Sequence, residues 1–203
     1  GEERERGVYP YIRDFYGRAL SWALRHKGVI LGSAGLILVF TGNGKGKTTA
    51  ALGLALRAAG AGLKVFIAQF IKKKRCSEHA IRDEFSDRIE VKQYGTGFIL
   101  GKKPSKADIQ AARRGYEDIR DVLVSRRYDV VVLDEANVAV YYGLISVQEL
   151  LDLMARKPKS VELVITGRYA DAKVIDAADV VTEMREVKHY RAQGVVARRG
   201  IEK

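Results

Sequence analysis

A glycine-rich segment with two lysines is the part of the sequence that points most directly to chemistry. A predicted strand, Leu36–Phe40, leads into TGNGKGKTT at positions 41–49, and a helical pattern follows. Glycines at 42, 44 and 46 let the backbone turn its N–H groups toward an anion, and the start of the helix adds partial positive charge. The strict consensus has glycine at position 41, where this chain has Thr41, but Gly42 and Gly44 supply comparable freedom.

The segment is therefore typical of a phosphate-binding loop and predicts nucleotide binding. In such a loop the second lysine, here Lys47, contacts the β- and γ-phosphates, and the next hydroxyl, Thr48, binds Mg²⁺. A simple tight turn between a strand and a helix would not explain two lysines placed between glycines.

Two carboxylates follow an apolar run further along the chain. The run Val130–Asp134 reads as a buried strand and is followed at once by Glu135. Buried strands seldom end in paired acids without a cation, and this arrangement is typical of the element that positions Mg²⁺ beside the loop threonine. The spacing does not tell whether Asp134 or Glu135 is the closer ligand.

Two arginines are further candidates for phosphate contacts. Arg168 follows Thr166 and Gly167 at the end of a predicted strand, where open α/β sheets bind ligands, although it also reads as an ordinary surface arginine. Arg57 lies near the end of the helix that follows the loop, and it either reaches the nucleotide or caps that helix.

Short β-branched runs alternate with longer helical patterns from Leu36 onward. This alternation predicts an α/β fold, a single P-loop NTPase domain of the RecA-like type over residues 36–203, with a mostly parallel central sheet flanked by helices. The predicted strands are Leu36–Phe40, Lys64–Gln69, Ile89–Gln93, Val130–Asp134, Val161–Thr166 and Asp179–Thr182. The predicted helices are Thr48–Ala59, Ser105 to about Ser125, and one that begins at Ser146 and ends before Pro158. For Gly194–Lys203 we expect a last strand and a tail.

Residues 1–35 form a separate N-terminal extension in this interpretation. Apolar side chains recur at helical spacing, with arginines on the other face, which predicts a basic amphipathic helix. Its apolar positions are Ile12, Phe15, Tyr16, Ala19, Trp22 and Ala23. We expect this face to pack on the parent domain or on a second subunit, with contact to a membrane surface as the weaker alternative.

Composition narrows the class of protein. The 203 residues carry 36 Lys+Arg and 25 Asp+Glu, a formal net charge of +11, and 47% are hydrophobic, which excludes general disorder. A single cysteine, Cys76, excludes an intrachain disulfide, and three scattered histidines do not suggest a metal site. The longest apolar run has 13 residues, fewer than the roughly 20 of a membrane-spanning helix. We therefore expect a cytoplasmic protein without stable membrane association. The basic clusters, among them Lys72–Arg75, read mainly as solvated surface.

Seven segments, taken in order, resemble the P-loop ATP:corrinoid adenosyltransferases. The likeness extends from Leu36 to Glu202, and the whole succession is more specific than the loop alone. The segments are Thr41–Thr49, Gln69–Lys72, Gly95–Phe98, Leu133–Glu135, Thr166–Arg168, Ala178–Met184 and Lys188–His189.

The resemblance implies a reaction. The 5′-deoxyadenosyl group of ATP would move to the Co(I) of a corrinoid, forming a cobalt–carbon bond and releasing triphosphate. Because Co(I) is itself a strong nucleophile, no Ser–His or Cys–His pair is required, and none is apparent in the sequence. The protein would supply position and charge compensation, with Mg²⁺ or Mn²⁺ as the metal. The family also implies a nucleotide reversed relative to ordinary P-loop enzymes, with C5′ facing the cobalt.

The resemblance also implies a set of site residues. Catalytic roles fall to Lys45, Lys47 and Glu135, and metal contacts to Thr48, Asp134 and Glu135. ATP contacts would come from Gly42, Asn43, Gly44, Lys45, Gly46, Lys47, Thr48, Thr49, Arg57 and Arg168. Phe98 matches an aromatic residue that contacts the corrinoid, whereas Leu100 stands where bacterial members have tryptophan.

Partners follow from the same resemblance. It implies a homodimer, a corrinoid substrate and an external flavin-dependent reductant that supplies Co(I), with the N-terminal helix as a lid over the site. We expect no nucleic-acid partner. The alternatives are an ATPase acting with nucleic acid, which the charge of +11 suits, and a small-molecule kinase that shares the loop.

Overall fold

The computed structural model describes residues 35–72, 87–97, 103–190, 194–196, 198 and 200–201. Residues 1–34 of the predicted N-terminal extension, Phe98 and Leu100 lie outside these residues, so the division of the chain at residue 35 stays a prediction. Within the described ranges no helix is long and apolar enough to cross a membrane.

In the described part of the chain six strands form one sheet, and all five neighbouring pairs are parallel. They are β1 (Ile37–Thr41), β2 (Val65–Phe70), β3 (Ile89–Tyr94), β4 (Val130–Asp134), β5 (Glu162–Thr166) and β6 (Val180–Glu183). Their order across the sheet is β3-β2-β4-β5-β1-β6. All six predicted strands are confirmed, with boundaries that differ by at most one residue, and the predicted α/β class is confirmed with them.

Within the described residues, five helices lie between the strands. They are α1 (Lys47–Gly60), α2 (Lys106–Ser125), α3 (Ala136–Tyr141), α4 (Val147–Arg156) and α5 (Ala172–Asp176). The three long ones were predicted, and α3 and α5 were not. These two have 6 and 5 residues, too few to display a helical period, and α3 begins directly after the acidic pair of β4. The described part of Gly194–Lys203 contains turns and no strand, so the predicted last strand is wrong for those residues.

Two helices begin with the capping box that the sequence predicts. The Ser105 hydroxyl accepts a hydrogen bond from the Asp108 N–H at 3.2 Å, and the Asp108 carboxylate accepts one from the Ser105 N–H at 2.8 Å. Ser146 and Glu149 repeat this exchange at the start of α4. Each box satisfies two backbone donors that the helix leaves free, and so it defines where the helix begins.

Helices cover the sheet on both faces. In β2, Phe66, Ala68 and Phe70 belong to the larger apolar core, beneath α2, α4 and α5, while Val65 and Ile67 pack on the other face against α1. Every residue of β2 and β4 is buried. This two-sided burial explains why the strands read as continuous apolar runs rather than as alternating patterns.

Candidate active site

Four neighbouring strands end at the same edge of the sheet and open onto one cavity. The strands are β2, β4, β5 and β1, and the cavity has a volume of about 440 Å³. Its lining residues are Gly44, Lys45, Gly46, Lys47, Thr48, Thr49, Ile71, Lys72, Glu135, Val138, Tyr142, Arg168, Tyr169 and Ile201. Ligands of open parallel sheets bind at this carboxyl edge, so the cavity is the natural place for a nucleotide.

The loop between β1 and α1 lies close against the chain that follows β6. The Gly44 N–H donates a hydrogen bond to the Met184 carbonyl at 2.6 Å. A Cβ atom added at Gly42 or Gly44 would come within 2.5 or 2.7 Å of that oxygen. Glycine is therefore required at both positions by close backbone approach, in addition to the positive φ of 92° at Gly42.

The first turn of α1 is suited to an anion. Gly46, with φ of 109°, precedes the helix without a side-chain cap, and the first turn carries no acidic residue. The first N–H groups of α1 are therefore not engaged by a capping side chain, and they add to the partial positive charge of the helix start. This geometry matches the phosphate-binding role that the sequence predicts.

Lys47 is buried within the loop. Only 8% of the residue is exposed, and its Nζ donates hydrogen bonds to the carbonyl oxygens of Gly42 at 2.8 Å and Gly44 at 2.5 Å. Burial lowers the pKa of Lys47 and the charge of Arg168 lowers it further, while Glu135 acts in the opposite direction. A bound phosphate would favour the charged ammonium and offer it stronger acceptors than the two carbonyls.

Lys45 contacts an aromatic residue beyond β6. Its Nζ donates a hydrogen bond to the Tyr190 hydroxyl at 2.6 Å and lies 5.0 Å from the centroid of the ring. The sequence offers no signal for this contact, because Tyr190 is 145 residues away. The chain after β6 thus contacts the phosphate-binding loop at both Gly44 and Lys45.

Asp134, at the end of β4, accepts four hydrogen bonds. Its Oδ1 accepts from the hydroxyls of Thr48 at 2.9 Å and Thr166 at 2.8 Å. Its Oδ2 accepts from Lys72 Nζ at 2.9 Å and Gln69 Nε2 at 3.2 Å. The residue is 1% exposed. Both oxygens are therefore engaged, and this carboxylate ties β4 to α1, β5 and the end of β2.

Lys72 corrects one part of the sequence interpretation. We expected the Lys72–Arg75 cluster to be solvated surface charge, yet the Lys72 side chain is only 14% exposed and forms an ion pair with Asp134. The contact arises because β2 and β4 are neighbours in the sheet, a pairing that their order along the chain does not reveal.

Glu135 differs from Asp134 in its surroundings. Its backbone has a positive φ of 60°, and its N–H donates a hydrogen bond to the Thr166 hydroxyl at 3.0 Å. Within the described part of the chain we find no hydrogen bond to its carboxylate, which lines the cavity. Burial raises the pKa of Glu135 and the charge of Asp134 raises it further, against the opposing charges of Lys72, Lys47 and Arg168.

These oxygen donors fit a magnesium ion held jointly with phosphates. Mg²⁺ usually takes one or two carboxylates together with substrate phosphates and water, rather than a cage built wholly of protein ligands. No group of three or more His, Cys, Asp or Glu suited to a metal occurs among the residues that the structure describes. Glu135 supplies a free carboxylate and Thr48 a hydroxyl on the same cavity.

Comparison with known proteins agrees with this geometry. The model of the family "ATP:corrinoid adenosyltransferase BtuR/CobO/CobP" matches residues 33–202. The chain belongs to this adenosyltransferase family. The corrinoid adenosyltransferase of Pseudomonas aeruginosa is 36% identical over 83% of this chain and 83% of its own length. The corrinoid adenosyltransferase of Escherichia coli K12 is 37% identical over 83% of this chain and 85% of its own, and CobA of Salmonella typhimurium has the same values.

Most of the residues that the family resemblance selects meet at this one cavity. The cavity is lined by Lys45, Lys47, Thr48, Glu135 and Arg168. Asp134 is not a lining residue, but it accepts a hydrogen bond from the Thr48 hydroxyl. The sequence did not single out Gln69, Lys72, Thr166, Tyr169 or Tyr190 for individual roles. Gln69, Lys72 and Thr166 lie in segments that carry the family resemblance, and that position was the available signal.

The structure does not bring Arg57 to the cavity that holds the other predicted site residues. Arg57 is in the last turn of α1 and lines a second cavity, of about 320 Å³, together with Leu63, Asp129 and Glu162. These residues lie at or just before the starts of β2, β4 and β5, the edge of the sheet opposite to the loop. The α1 helix separates the two sites, because it carries the phosphate loop at one end and Arg57 at the other.

The expected corrinoid contacts, Phe98 and Leu100, lie outside the described residues. The chain that leads to them is described as far as Gly97, whose N–H donates a hydrogen bond to the Ile71 carbonyl at 3.0 Å. Because Ile71 lines the cavity, Gly97 lies next to a residue of the cavity wall.

Proposed function

We propose that this chain transfers the 5′-deoxyadenosyl group of ATP to the Co(I) of a corrinoid and releases triphosphate. The observation that carries the proposal is the charge of the cavity. Among its described lining residues are three lysines and one arginine, against a single carboxylate, that of Glu135. None of its described lining residues is a serine, cysteine or histidine. Such a site suits a reaction whose leaving group is a polyanion and whose nucleophile arrives with the second substrate.

The reaction balances without a protein nucleophile. The electron pair of Co(I) forms the new bond to C5′, so the cobalt is formally oxidised to Co(III). The bond between C5′ and its phosphate oxygen breaks, and that electron pair leaves with triphosphate. The residues act by positioning and by charge: Lys45, Lys47 and the N–H groups of the loop stabilise the negative charge that develops on the leaving group.

A magnesium ion, or manganese with the same donors, would be held by Thr48 and Glu135 together with phosphate oxygens. When bound, the ion neutralises charge on the triphosphate. Asp134 has both oxygens engaged, so we assign it a positioning role: it orients the Thr48 hydroxyl, and Lys72 keeps its charge compensated. Arg168, which follows β5, adds a further positive charge to the side of the cavity where that strand ends.

The experiment is an anaerobic incubation with ATP, Mg²⁺ and chemically reduced cobalamin. We expect an adenosylated corrinoid, detected by its light-sensitive absorbance spectrum, together with triphosphate in equal amount. Lys47→Met is expected to abolish product formation. The exposed Lys159→Met serves as the matched control and is expected to leave it unchanged. Orthophosphate released on addition of DNA or RNA, or ADP with a phosphorylated acceptor, would overturn the proposal.

We also propose that the enzyme acts as a homodimer in the cytoplasm. An external flavin-dependent reductant would reduce the cobalt of its corrinoid substrate to Co(I). The chain's own residues supply no redox centre for that reduction among those the structure describes, and the single cysteine suits a reducing compartment. Light scattering of the purified chain tests the dimer. Addition of a reduced flavoprotein in place of the chemical reductant tests the electron donor.

A further inference from the structure

Three tyrosines form an aromatic cluster at the rim of the nucleotide cavity. The rings of Tyr141 and Tyr169 stack with centroids 4.2 Å apart and an angle of 28° between their planes. Tyr142 meets Tyr141 edge-on at 5.3 Å. Tyr141 is 59% exposed and Tyr169 is 48% exposed. Both residues therefore retain exposed aromatic surface, and aromatic rings favour stacked contacts with other flat groups.

The backbone of Tyr169 adds a second, independent observation. Its φ is +60°, in the left-handed region, and it follows Gly167 with φ of +131° at the end of β5. A bulky residue with positive φ is uncommon, because its Cβ crowds the backbone, and glycine fits such a position at no steric cost. Backbone strain of this kind persists when the surrounding structure enforces it, and it concentrates at functional sites.

The position of the Tyr169 ring relates it to the nucleotide. Tyr169 lines the cavity beside Arg168, whereas Tyr141 is not part of the lining. Tyr141 therefore packs against one face of the Tyr169 ring, while Tyr169 is still 48% exposed and borders the cavity. The wall with Tyr169 belongs to β5, next to β1 and its phosphate-binding loop.

From this geometry we propose that Tyr169 stacks on the adenine base of bound ATP and that Tyr141 is a positioning residue for its ring. The inference rests on the proposed function only in that ATP is the ligand of this cavity. A purine offers a flat face of about the size of a tyrosine ring, and base–aromatic stacking is a recurrent mode of nucleobase binding. A corrin macrocycle is far larger than a purine and would have to approach from outside the cavity of about 440 Å³.

The test compares the binding of ATP with that of inorganic triphosphate, which has no base, by calorimetry without corrinoid. For Tyr169→Gly we expect the Kd for ATP to rise roughly 5- to 150-fold, as loss of one stacked base implies. The Kd for triphosphate is expected to stay at the wild-type value. Tyr169→Phe keeps the ring and is expected to match wild type for both ligands.

A fluorescent base provides a readout that a merely structural role would not move. The triphosphate of 2-aminopurine riboside is expected to lose fluorescence on binding to wild type and to Tyr169→Phe, because stacking quenches it. The quenching is expected to disappear in Tyr169→Gly and to weaken in Tyr141→Ala, with Tyr141→Phe restoring it. Tyr169→Asn serves as a second truncation, because asparagine also tolerates positive φ.

Three results would overturn the proposal. The first is an unchanged Kd for ATP in both folded truncations. The second is an equal loss of affinity for ATP and for triphosphate, which would assign Tyr169 to the phosphates. The third is unchanged ATP binding with a raised Kd for the corrinoid, which would assign the ring to the corrin. None of these measurements requires adenosyl transfer, so a failure of the proposed reaction remains distinguishable from a failure of this inference.

Discussion

At the scale of single residues, Asp134 is the group on which the site's geometry depends most. It is almost fully buried and accepts hydrogen bonds from Thr48, Thr166, Gln69 and Lys72. A buried carboxylate with four donors has its desolvation offset by the bonds it accepts, whereas removal of the carboxylate leaves those donors unpaired.

Asp134→Ala is therefore expected to lower the free energy of unfolding by about 3–5 kcal/mol, the usual cost of breaking a buried ion pair from one side. Urea unfolding of the free protein measures it. Asp87→Ala is the matched control, because the ion pair of Asp87 with Arg88 is exposed, and we expect little change. Equal stability of the two variants would show that the hydrogen bonds to Asp134 do not hold the strands together.

Glu135 supports a prediction about pH. Its pKa is raised in the folded chain by burial and by Asp134, so the folded state binds this proton more tightly than the unfolded chain does. Ionisation of Glu135 therefore lowers stability as pH rises from the ordinary carboxyl pKa through the raised value. Without nucleotide or metal, Glu135→Gln is expected to be more stable than wild type above that interval, and the difference is expected to vanish below it.

Unfolding free energies measured at a series of pH values test this expectation. The opposite trend, with the gain largest at low pH, would contradict the direction of the shift. The same variant is expected to lose the Mg²⁺ dependence of ATP binding. The predicted gain in stability therefore comes with the loss of the carboxylate that we propose as a metal ligand.

Functional residues could be predicted from the sequence where one continuous segment carries the whole pattern. Lys47 and Thr48 follow from the loop, and the acidic pair follows from a strand that ends in two carboxylates. Lys72 was not accessible in this way. It stands in a run of basic residues, and its burial depends on the neighbourhood of β2 and β4, which no local pattern records.

At the scale of elements, two helical glycines have opposite surroundings. A Cβ added at Gly115, in α2, would lie 2.7 Å from Cγ of Tyr94, a residue of β3. Tyr94 is itself held by a hydrogen bond from its hydroxyl to Asp118 at 2.9 Å. A Cβ at Gly53, in α1, would meet nothing within 4 Å. Gly115 thus allows α2 to approach the sheet, whereas Gly53 makes no such contact.

We therefore expect alanine to act in opposite directions at the two positions. Gly53→Ala is expected to stabilise the protein by about 0.5–1 kcal/mol through the entropy of the unfolded chain. Gly115→Ala is expected to destabilise it by about 1–2 kcal/mol, because overpacking against Tyr94 exceeds the same entropic gain. Chemical denaturation of both variants measures the pair, and a shift of the same sign in both would contradict the packing argument.

Elements could be predicted where the chain carries its own boundary signal. The capping boxes at Ser105 and Ser146 mark the starts of α2 and α4, and both are present in the structure. The short helices α3 and α5 carry no comparable pattern of apolar residues, because each has fewer than two turns. Their existence depends on how the chain turns back after β4 and β5.

At the scale of the whole molecule, the sheet order gathers the site. The strands β2, β4, β5 and β1 are adjacent in the sheet. Along the chain, however, β3 lies between β2 and β4, and three strands lie between β1 and β5. The sequence predicts that the sheet is parallel, and hence that all strand ends with chemistry share one edge. It does not predict that β5 lies between the strand of the loop and the strand of the acidic pair.

Binding of ATP and Mg²⁺ is expected to stabilise the folded molecule as a whole. At free ATP of 100 times its Kd, the free energy of unfolding is expected to rise by about 2.7 kcal/mol. Removal of Mg²⁺ with a chelator is expected to reduce the gain. Lys47→Met is expected to lose most of it. Thermal unfolding with and without ligand measures the effect, and an equal gain in wild type and variant would place ATP outside this cavity.

The phosphate-binding loop is held by a hydrogen bond to the chain that follows β6, so opening of this strand end is expected to release the loop. All four residues of β6 are exposed, and among the described strands it pairs only with β1. Yet the Met184 carbonyl that accepts the Gly44 N–H comes directly after it. The amide proton of Gly44 is therefore expected to exchange with solvent whenever this strand end detaches. The amide protons of β4 are expected to exchange only when the whole protein unfolds. If ATP binding slows exchange at Gly44, the nucleotide stabilises the attachment of β6, the most exposed strand, to the rest of the sheet.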